Sequence, residues 1–500
     1  MAPPKRRRKF TKRSLTGCRT CRARHIRCDE APGSCNNCSS TGRKCDGYDL
    51  SRLPVQELTF TSHLGIDTRL AWLTTPDERR CFSYFTHISI PSLASLFDFP
   101  LWEKLTLRIS HADRAVYHAA NMLGAVHEDS DQNQMRLSGE NLHQPRHRFA
   151  LEQASRAFAI LNRRQASQDP QLREVVLICC LLFVVSDLLL GRYDNAFQHL
   201  RSGLKILGET QQQLRIQQRL SVDDDLVRAF QRLDIESSHF GMGKPFLYAD
   251  IEPEEYLDQP AVMRNLSDAH QRVTAQLNIG IPFLAKCWLL SDAGIKADYE
   301  NLHRTQQRLL SSNYQSKEEI EALYNQDPHR FSYKEQRGLD LLLLQCVGQI
   351  LAIRTALNVG VAPELIPEHV ELLEIHDRVM VKLPERPSIT LDYGVIPSLY
   401  IVASQCPQYS VRLRAIDALL AWPHCEGLVN SNLAASIALE GLKAELRDKD
   451  QKCALLVNKY ADEELSQYLL NTIEHSPHTI NWSPLRAARF LQPKIKSIRG

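Results

Sequence analysis

From about residue 76 onward, apolar and small residues recur at three-to-four spacing. In DERRCFSYF, HADRAVYHAANMLGAVHE and HRFALEQASRAFAILNRR this is the pattern of amphipathic helices, and strand-like alternation is scarce. The run from Val175 to Leu190, VVLICCLLFVVSDLLL, is apolar on every face and predicts a helix buried all round. It falls short of the roughly 20 residues that span a bilayer and carries Asp187 inside it, so a core helix is expected and no membrane contact. Gly191, Arg192 and Tyr193 punctuate the pattern, and a second helix follows with Ala196, Phe197, Leu200, Leu204 and Leu207 on one face, which predicts an antiparallel hairpin. Further helical text stands at DDDLVRAFQRLDIESSHF, LDLLLLQCVGQILAIRTAL, VRLRAIDALLAW and NSNLAASIALEGLKAELRDKD, separated by connections bearing Pro363, Pro367, Pro384 and Pro387. No repeat of about 20 to 50 residues recurs with a fixed signature, which argues against a TPR-type or HEAT-type solenoid. One large all-α domain over residues 76–480 is the expectation.

The first 75 residues read differently. Residues 1–17 form a basic arm, with PKRRRKFTKR carrying too little apolar content to fold alone. Residues 46–75 contain Pro54 and Gly65, lack helical periodicity and read as a linker without the a/d heptads of a coiled-coil dimer. A mildly basic tail, residues 481–500, closes the chain. Five hundred residues exceed a lone binding module and predict two to four domain-sized units.

Charge sharpens this division. The net +3 hides 13 Lys/Arg against 4 Asp/Glu in residues 1–50, a balance of +9, with 48 against 54, or −6, in the remainder. The basic end expects a polyanion; Lys5, Arg6, Arg7, Arg8 and Lys9 suit phosphate or a nuclear import receptor. MAPPKRRRKF shows no apolar core of a secretory signal, so an intracellular, reducing setting is expected, where clustered cysteines favour metal over disulfides.

Six of the 14 cysteines are clustered as Cys18-x2-Cys21-x6-Cys28-x6-Cys35-x2-Cys38-x6-Cys45, the unit C-x2-C-x6-C written twice with an offset of 17 residues. One tetrahedral zinc ion would use Cys18, Cys21, Cys28 and Cys35 and leave Cys38 and Cys45 idle, whereas two ions need eight ligand positions from six sulfurs. Two thiolates must then bridge, and the pseudo-symmetry selects Cys18 and Cys35. Cys21 and Cys28 complete one site, Cys38 and Cys45 the other. Six thiolates against two Zn2+ leave a charge of about −2, which neighbouring cations offset; Arg19, Arg22, Arg24, Arg27, Arg43 and Lys44 surround the motif.

In cysteine number and spacing, residues 18–45 resemble the binuclear zinc cluster (Zn2Cys6) of fungal transcription factors. The resemblance implies a zinc-dependent, sequence-specific regulator of genes transcribed by RNA polymerase II, acting in the nucleus and reading a CGG-type triplet of double-stranded DNA in the major groove. Carried over by position, Arg24 and His25 become base-edge candidates and Arg22 and Arg27 phosphate contacts, with Arg19 and Lys44 as further DNA-facing cations. An Arg fork can bond both acceptors of guanine, while cations directed at phosphate give affinity without sequence information. Two departures stand out: His25 occupies a position where lysine is common, and Pro32 lies three residues before Cys35 where the family sets a proline two before. The body also resembles the helical regulatory region of these factors, notably in LLFVVSDLLLGRYDNAFQHLRSGLKIL, which implies coregulator or effector contacts.

Enzyme chemistry finds little support. GMGK at 241–244 lacks the upstream glycine of a phosphate loop and is followed by Pro245, so it reads as a turn. His111, His118 and His127 lack the four-residue spacing of a helical zinc pair, and Cys179 and Cys180 read as small core residues. The rival classes are an enzyme with a zinc-cluster appendage, an interaction or repressor protein whose cluster no longer reads DNA, and an effector-sensing regulator. A monomer and a homodimer formed through the helical body are both compatible with the sequence.

Overall fold

The computed structural model describes residues 18–45 except 27, 30 and 32–34, and residues 72–452 except 98–99, 138–140, 142, 168, 170, 218–221, 241, 243–244, 248–262, 327–329 and 358–362. The basic arm, most of the linker, the segment beyond 452 and three residues of GMGK lie outside them. The chain divides into two compact units between Arg80 and Cys81.

In the first unit, α1 (Arg19–Ala23) and α2 (Asn36–Ser39) each begin one residue after the first cysteine of a repeat. Helix α3 (Pro76–Tyr84), which contains the boundary, is opened by a reciprocal cap: Thr75 Oγ1 accepts from the Glu78 amide at 3.2 Å while the Glu78 carboxylate accepts from the Thr75 amide at 2.8 Å.

The second unit is helical. After α4 (Ile90–Leu93) and α5 (Leu107–Ala112), with π-helical turns at Phe85–Ser89 and Leu101–Thr106, come α6 (Arg114–Gln132) and α7 (Pro145–Arg163). Asp113 starts α6 by accepting from the Ala115 amide at 2.8 Å. Helix α6 packs on α7 and on α8 (Leu172–Leu189), which in turn pairs with α9 (Tyr193–Gln217). Every residue of α8 from Leu177 to Leu189 is buried, as an all-apolar helix requires. Gly191, at φ +71°, makes the turn into α9, so the predicted hairpin forms on the predicted glycine. Asp187 is held inside by Arg192, whose Nε lies 3.2 Å from its carboxylate.

Helices α10 (Asp224–Ser237), α11 (Leu266–Leu289), α12 (Asp292–Ala297), α13 (Tyr299–Gln326), α14 (Tyr333–Thr355), α15 (Ile366–Val381), α16 (Ile396–Gln405), α17 (Tyr409–Ala421) and α18 (Ser431–Lys452) complete the described body. Helix α14 is long and apolar enough to cross a membrane, yet it lies inside the core, buried from Gly338 to Ile353 against α11, α13, α15 and α16. Ser332 and Glu335 cap its start reciprocally. Pro367, read from the sequence as part of a connection, instead stands in the first turn of α15, where a missing N–H costs nothing.

Among the described residues, strand pairing is confined to three two-residue segments: β1 (Ile389–Thr390) runs parallel to β2 (Cys425–Glu426), which turns through Gly427 at φ +52° to pair antiparallel with β3 (Val429–Asn430). This small sheet carries buried carboxylates. Glu426 accepts from the amides of Val395 (2.7 Å), Ile396 (2.9 Å) and Gly394 (3.2 Å), capping α16 from 30 residues downstream, and pairs with His424 Nε2 at 2.8 Å. Glu236, at the end of α10, accepts from the Leu428 amide at 2.8 Å, and burial pushes its carboxyl up to about 8.

The three histidines do not converge: His111 is half-buried with its ring edge-on to Phe82, while His118 and His127 are core groups. His118 Nδ1 meets Gln153 at 2.7 Å, and His127 bridges Ser89 and Ser388 at 2.8 and 2.7 Å, with burial pushing its imidazole down to about 4. Cys180 is buried with its thiol pushed up to about 12, and burial raises the Cys179 thiol as well, as small core residues would be.

Candidate metal centre and nucleic-acid interface

The two cysteine repeats fold as equivalent halves. Cys18 and Cys35 stand just ahead of α1 and α2, and Cys21 and Cys38 lie within them. Each helix ends by one device: the Ile26 amide donates to the Cys21 carbonyl at 3.1 Å, and the Arg43 amide donates to the Cys38 carbonyl at 3.0 Å. Such a five-residue closure needs a left-handed residue before the donor. His25 (φ +53°) and Gly42 (φ +62°) supply it, again 17 positions apart. The repeat seen in the cysteines therefore extends to the backbone.

These turns bring the six sulfurs together. Cys18, Cys21, Cys28 and Cys35 form one quartet, and Cys18, Cys35, Cys38 and Cys45 a second, with the ligand atoms of each quartet within 4.8 Å of one another. The quartets share Cys18 and Cys35, the pair that ligand counting selects as bridges. Sulfur separations are 3.6 Å for Cys18–Cys35 and Cys21–Cys35, 3.8 Å for Cys18–Cys38 and 3.9 Å for Cys21–Cys38. Four thiolates around one zinc at about 2.3 Å stand about 3.8 Å apart, so the three separations within a quartet, which exclude Cys21–Cys38, fit tetrahedral zinc, and all four lie far outside the roughly 2 Å of a disulfide. Among the described residues these cysteines are unbridged, and all are buried except the half-buried Cys45. Burial pushes the Cys18 thiol up to about 12 and raises Cys21 and Cys35 as well, so thiolates are costly here until a cation compensates them. Backbone donors already face the sulfurs: the Cys21 amide to Cys18 Sγ at 3.3 Å and the Cys18 amide to Cys28 Sγ at 3.4 Å.

Three contacts that sequence reasoning missed tie the halves. The Asp29 carboxylate accepts from the Asn36 amide at 3.0 Å, from Asn36 Nδ2 at 2.7 Å and from the Asn37 amide at 3.4 Å, which holds its pKa below the usual carboxylate value. Its signal was its sign: Asp29 and Glu30 are the only acids between Cys18 and Cys45. Arg24 Nη1 donates to Thr41 Oγ1 at 3.4 Å, and Thr41 stands at the position equivalent to Arg24, 17 residues on. Thr20 Oγ1 also donates to the Lys44 carbonyl at 3.4 Å.

Of the predicted DNA-facing residues, Arg24 is half-buried beside the cluster, while His25 and Lys44 are exposed, as is Arg43. Arg27, the side chains of Arg19 and Arg22, and Lys5, Arg6, Arg7, Arg8 and Lys9 lie outside the described residues.

This site defines a class. The model of the fungal Zn(2)-Cys(6) binuclear cluster domain family matches residues 16–53, and with the paired quartets this makes the N-terminal segment a binuclear zinc cluster domain, whose cofactor is two zinc ions held by six cysteines. More particularly, the chain is similar to the aspercryptin biosynthesis cluster-specific transcription regulator of Emericella nidulans, 27% identical over 290 residues covering 51% of this chain and 45% of that protein. It is similar to a transcription regulator of Purpureocillium lilacinum at 25% identity, over 38% of this chain and 48% of that protein. White-opaque regulator 2 of Candida albicans is 50% identical over 62 residues, covering 12% of this chain and 14% of that protein. The chain spans about half the length of the first two relatives. No solved structure matches it.

Proposed function

We propose that this chain is a zinc-dependent, sequence-specific DNA-binding transcription regulator that acts in the nucleus on genes transcribed by RNA polymerase II and reads CGG-type triplets in the major groove. The observation that carries this reading is the pair of sulfur quartets sharing Cys18 and Cys35. In this reading Cys18 and Cys35 bridge the two ions, Cys21 and Cys28 complete one site, and Cys38 and Cys45 the other. Held by these cysteines, two zinc ions would supply four positive charges against the six thiolates, and the shared ligands would join the two halves. Arg24 and His25 meet base edges; Arg19, Arg22, Arg27 and Lys44 meet phosphate, and Lys5, Arg6, Arg7, Arg8 and Lys9 add phosphate affinity or engage an import receptor. The helical body, residues 76–480, takes coregulator or effector contacts. Relatives named as transcription regulators support this regulatory reading over an enzymatic one.

The test is binding of the full chain to CGG-containing and scrambled duplexes. Selective binding that is lost in Cys18→Ala and in Cys35→Ala supports the proposal; selective binding that survives both substitutions overturns it.

A further inference from the structure

We propose that Thr41, in the second half of the cluster, is a positioning residue for the base-reading Arg24 of the first half. The inference rests on the DNA-reading function proposed above and deepens it. Arg24 and Thr41 occupy equivalent places, each immediately before a left-handed residue, His25 and Gly42, that closes its helix. Their side chains meet: Arg24 Nη1 donates to Thr41 Oγ1 at 3.4 Å.

The threonine is itself anchored. Its hydroxyl lies 2.8 Å from the Asn37 carbonyl and 3.2 Å from that of Cys38, so its single proton is committed to the backbone of α2 and its oxygen turns a lone pair to the guanidinium. Helix α2 is in turn fixed by Cys38 and by the Asp29 carboxylate at Asn36. The chain of contacts runs from the second sulfur quartet, through α2 and Thr41, to Arg24. A long arginine on a surface turn ordinarily loses its rotamer freedom on binding a base. A neighbour that restricts it beforehand lowers that loss while leaving its remaining donors for guanine. The second half of the cluster, poorer in cations than the first, thereby contributes to recognition by orienting the arginine and without touching a base.

The experiment compares the full-length chain with Thr41→Val, Thr41→Ser, Arg24→Ala and the Arg24→Ala/Thr41→Val double variant. Each is titrated with a CGG duplex and with the same duplex changed at one guanine, and cobalt substitution reports the thiolate sites spectroscopically. Thr41→Val is expected to keep the cobalt spectrum and the salt dependence, and to lose about two- to tenfold in preference for the guanine. Thr41→Ser restores that preference, and Thr41→Val has no further effect once Arg24 is alanine. Unchanged preference in Thr41→Val, or an equal loss with and without Arg24, overturns the positioning role while leaving the DNA-reading proposal intact. A wild-type chain that shows no preference for the CGG duplex overturns both.

Discussion

At the scale of single residues, the proposed function gives neighbouring arginines of the cluster different work. Arg24→Ala is expected to cost on the order of 1–3 kcal/mol at the cognate triplet and to blur its preference. Arg22→Ala should weaken every sequence alike and lower the salt slope by about one. Titration of matched and mismatched duplexes at several salt concentrations separates the two, and identical profiles for both variants refute the division. His25 has a second, conformational role. It holds a left-handed backbone that Gly42 adopts without strain in the other half. His25→Gly should therefore strengthen the zinc-loaded cluster by up to about 1 kcal/mol, read as slower zinc loss to a chelator, even if base contact suffers. The grouping of the six cysteines was legible in the sequence because ligand counting is arithmetic, and the sulfurs stand in two quartets that share Cys18 and Cys35. The backbone of His25 was not legible, since histidine, although more frequent than most residues at positive φ, adopts it only in a small minority of cases. Its offset of 17 from Gly42 was the available clue. Thr41 was missed for a similar reason: a threonine among polar residues shows its meaning only when an arginine is found against it.

At the scale of elements, periodicity worked where one face or all faces of a helix are apolar. The hairpin of α8 and α9 formed as read because a buried run, a glycine and an amphipathic stripe follow one another. Helices α11, α13, α15 and α16 were not singled out. Pro282 lies inside α11, Pro367 in the first turn of α15, and α13 is rich in Gln, Glu, Asn and Ser, so its stripe is thin. Packing of neighbouring helices, not propensity, decides such segments. The contact of α9 with α10 makes this testable. A Cβ on Gly203 would lie 2.2 Å from Phe230 Cε1 in the core. Gly203→Ala gains about 1 kcal/mol of helix propensity and yet should destabilise the body by about 1–3 kcal/mol through overpacking. A lower urea midpoint is the expected result; an unchanged or higher one means the two helices are less tightly joined than described.

At the scale of the whole molecule, a basic N-terminal region precedes an acidic helical body whose polar interior links distant segments. These links, such as Glu426 capping α16 and Glu236 holding the amide of Leu428, join residues tens to hundreds of positions apart and leave no periodic trace in the sequence. Glu236 gives the body a pH signature. Its pKa is raised in the fold, to about 8 from an ordinary 4.5, so its contribution is fully present below about pH 4.5 and lost as pH rises through 8. Thermal unfolding of the wild type should therefore weaken between pH 6 and about pH 9 more steeply than that of Glu236→Gln; parallel profiles would assign the pH dependence to other groups. The most direct test of the central claim couples metal content to DNA binding in the full-length chain. Two zinc ions per chain, loss of CGG-selective binding when both are removed, and its return when zinc is restored are the expected results. A content of one ion per chain, or selective binding by the metal-free protein, would contradict that claim.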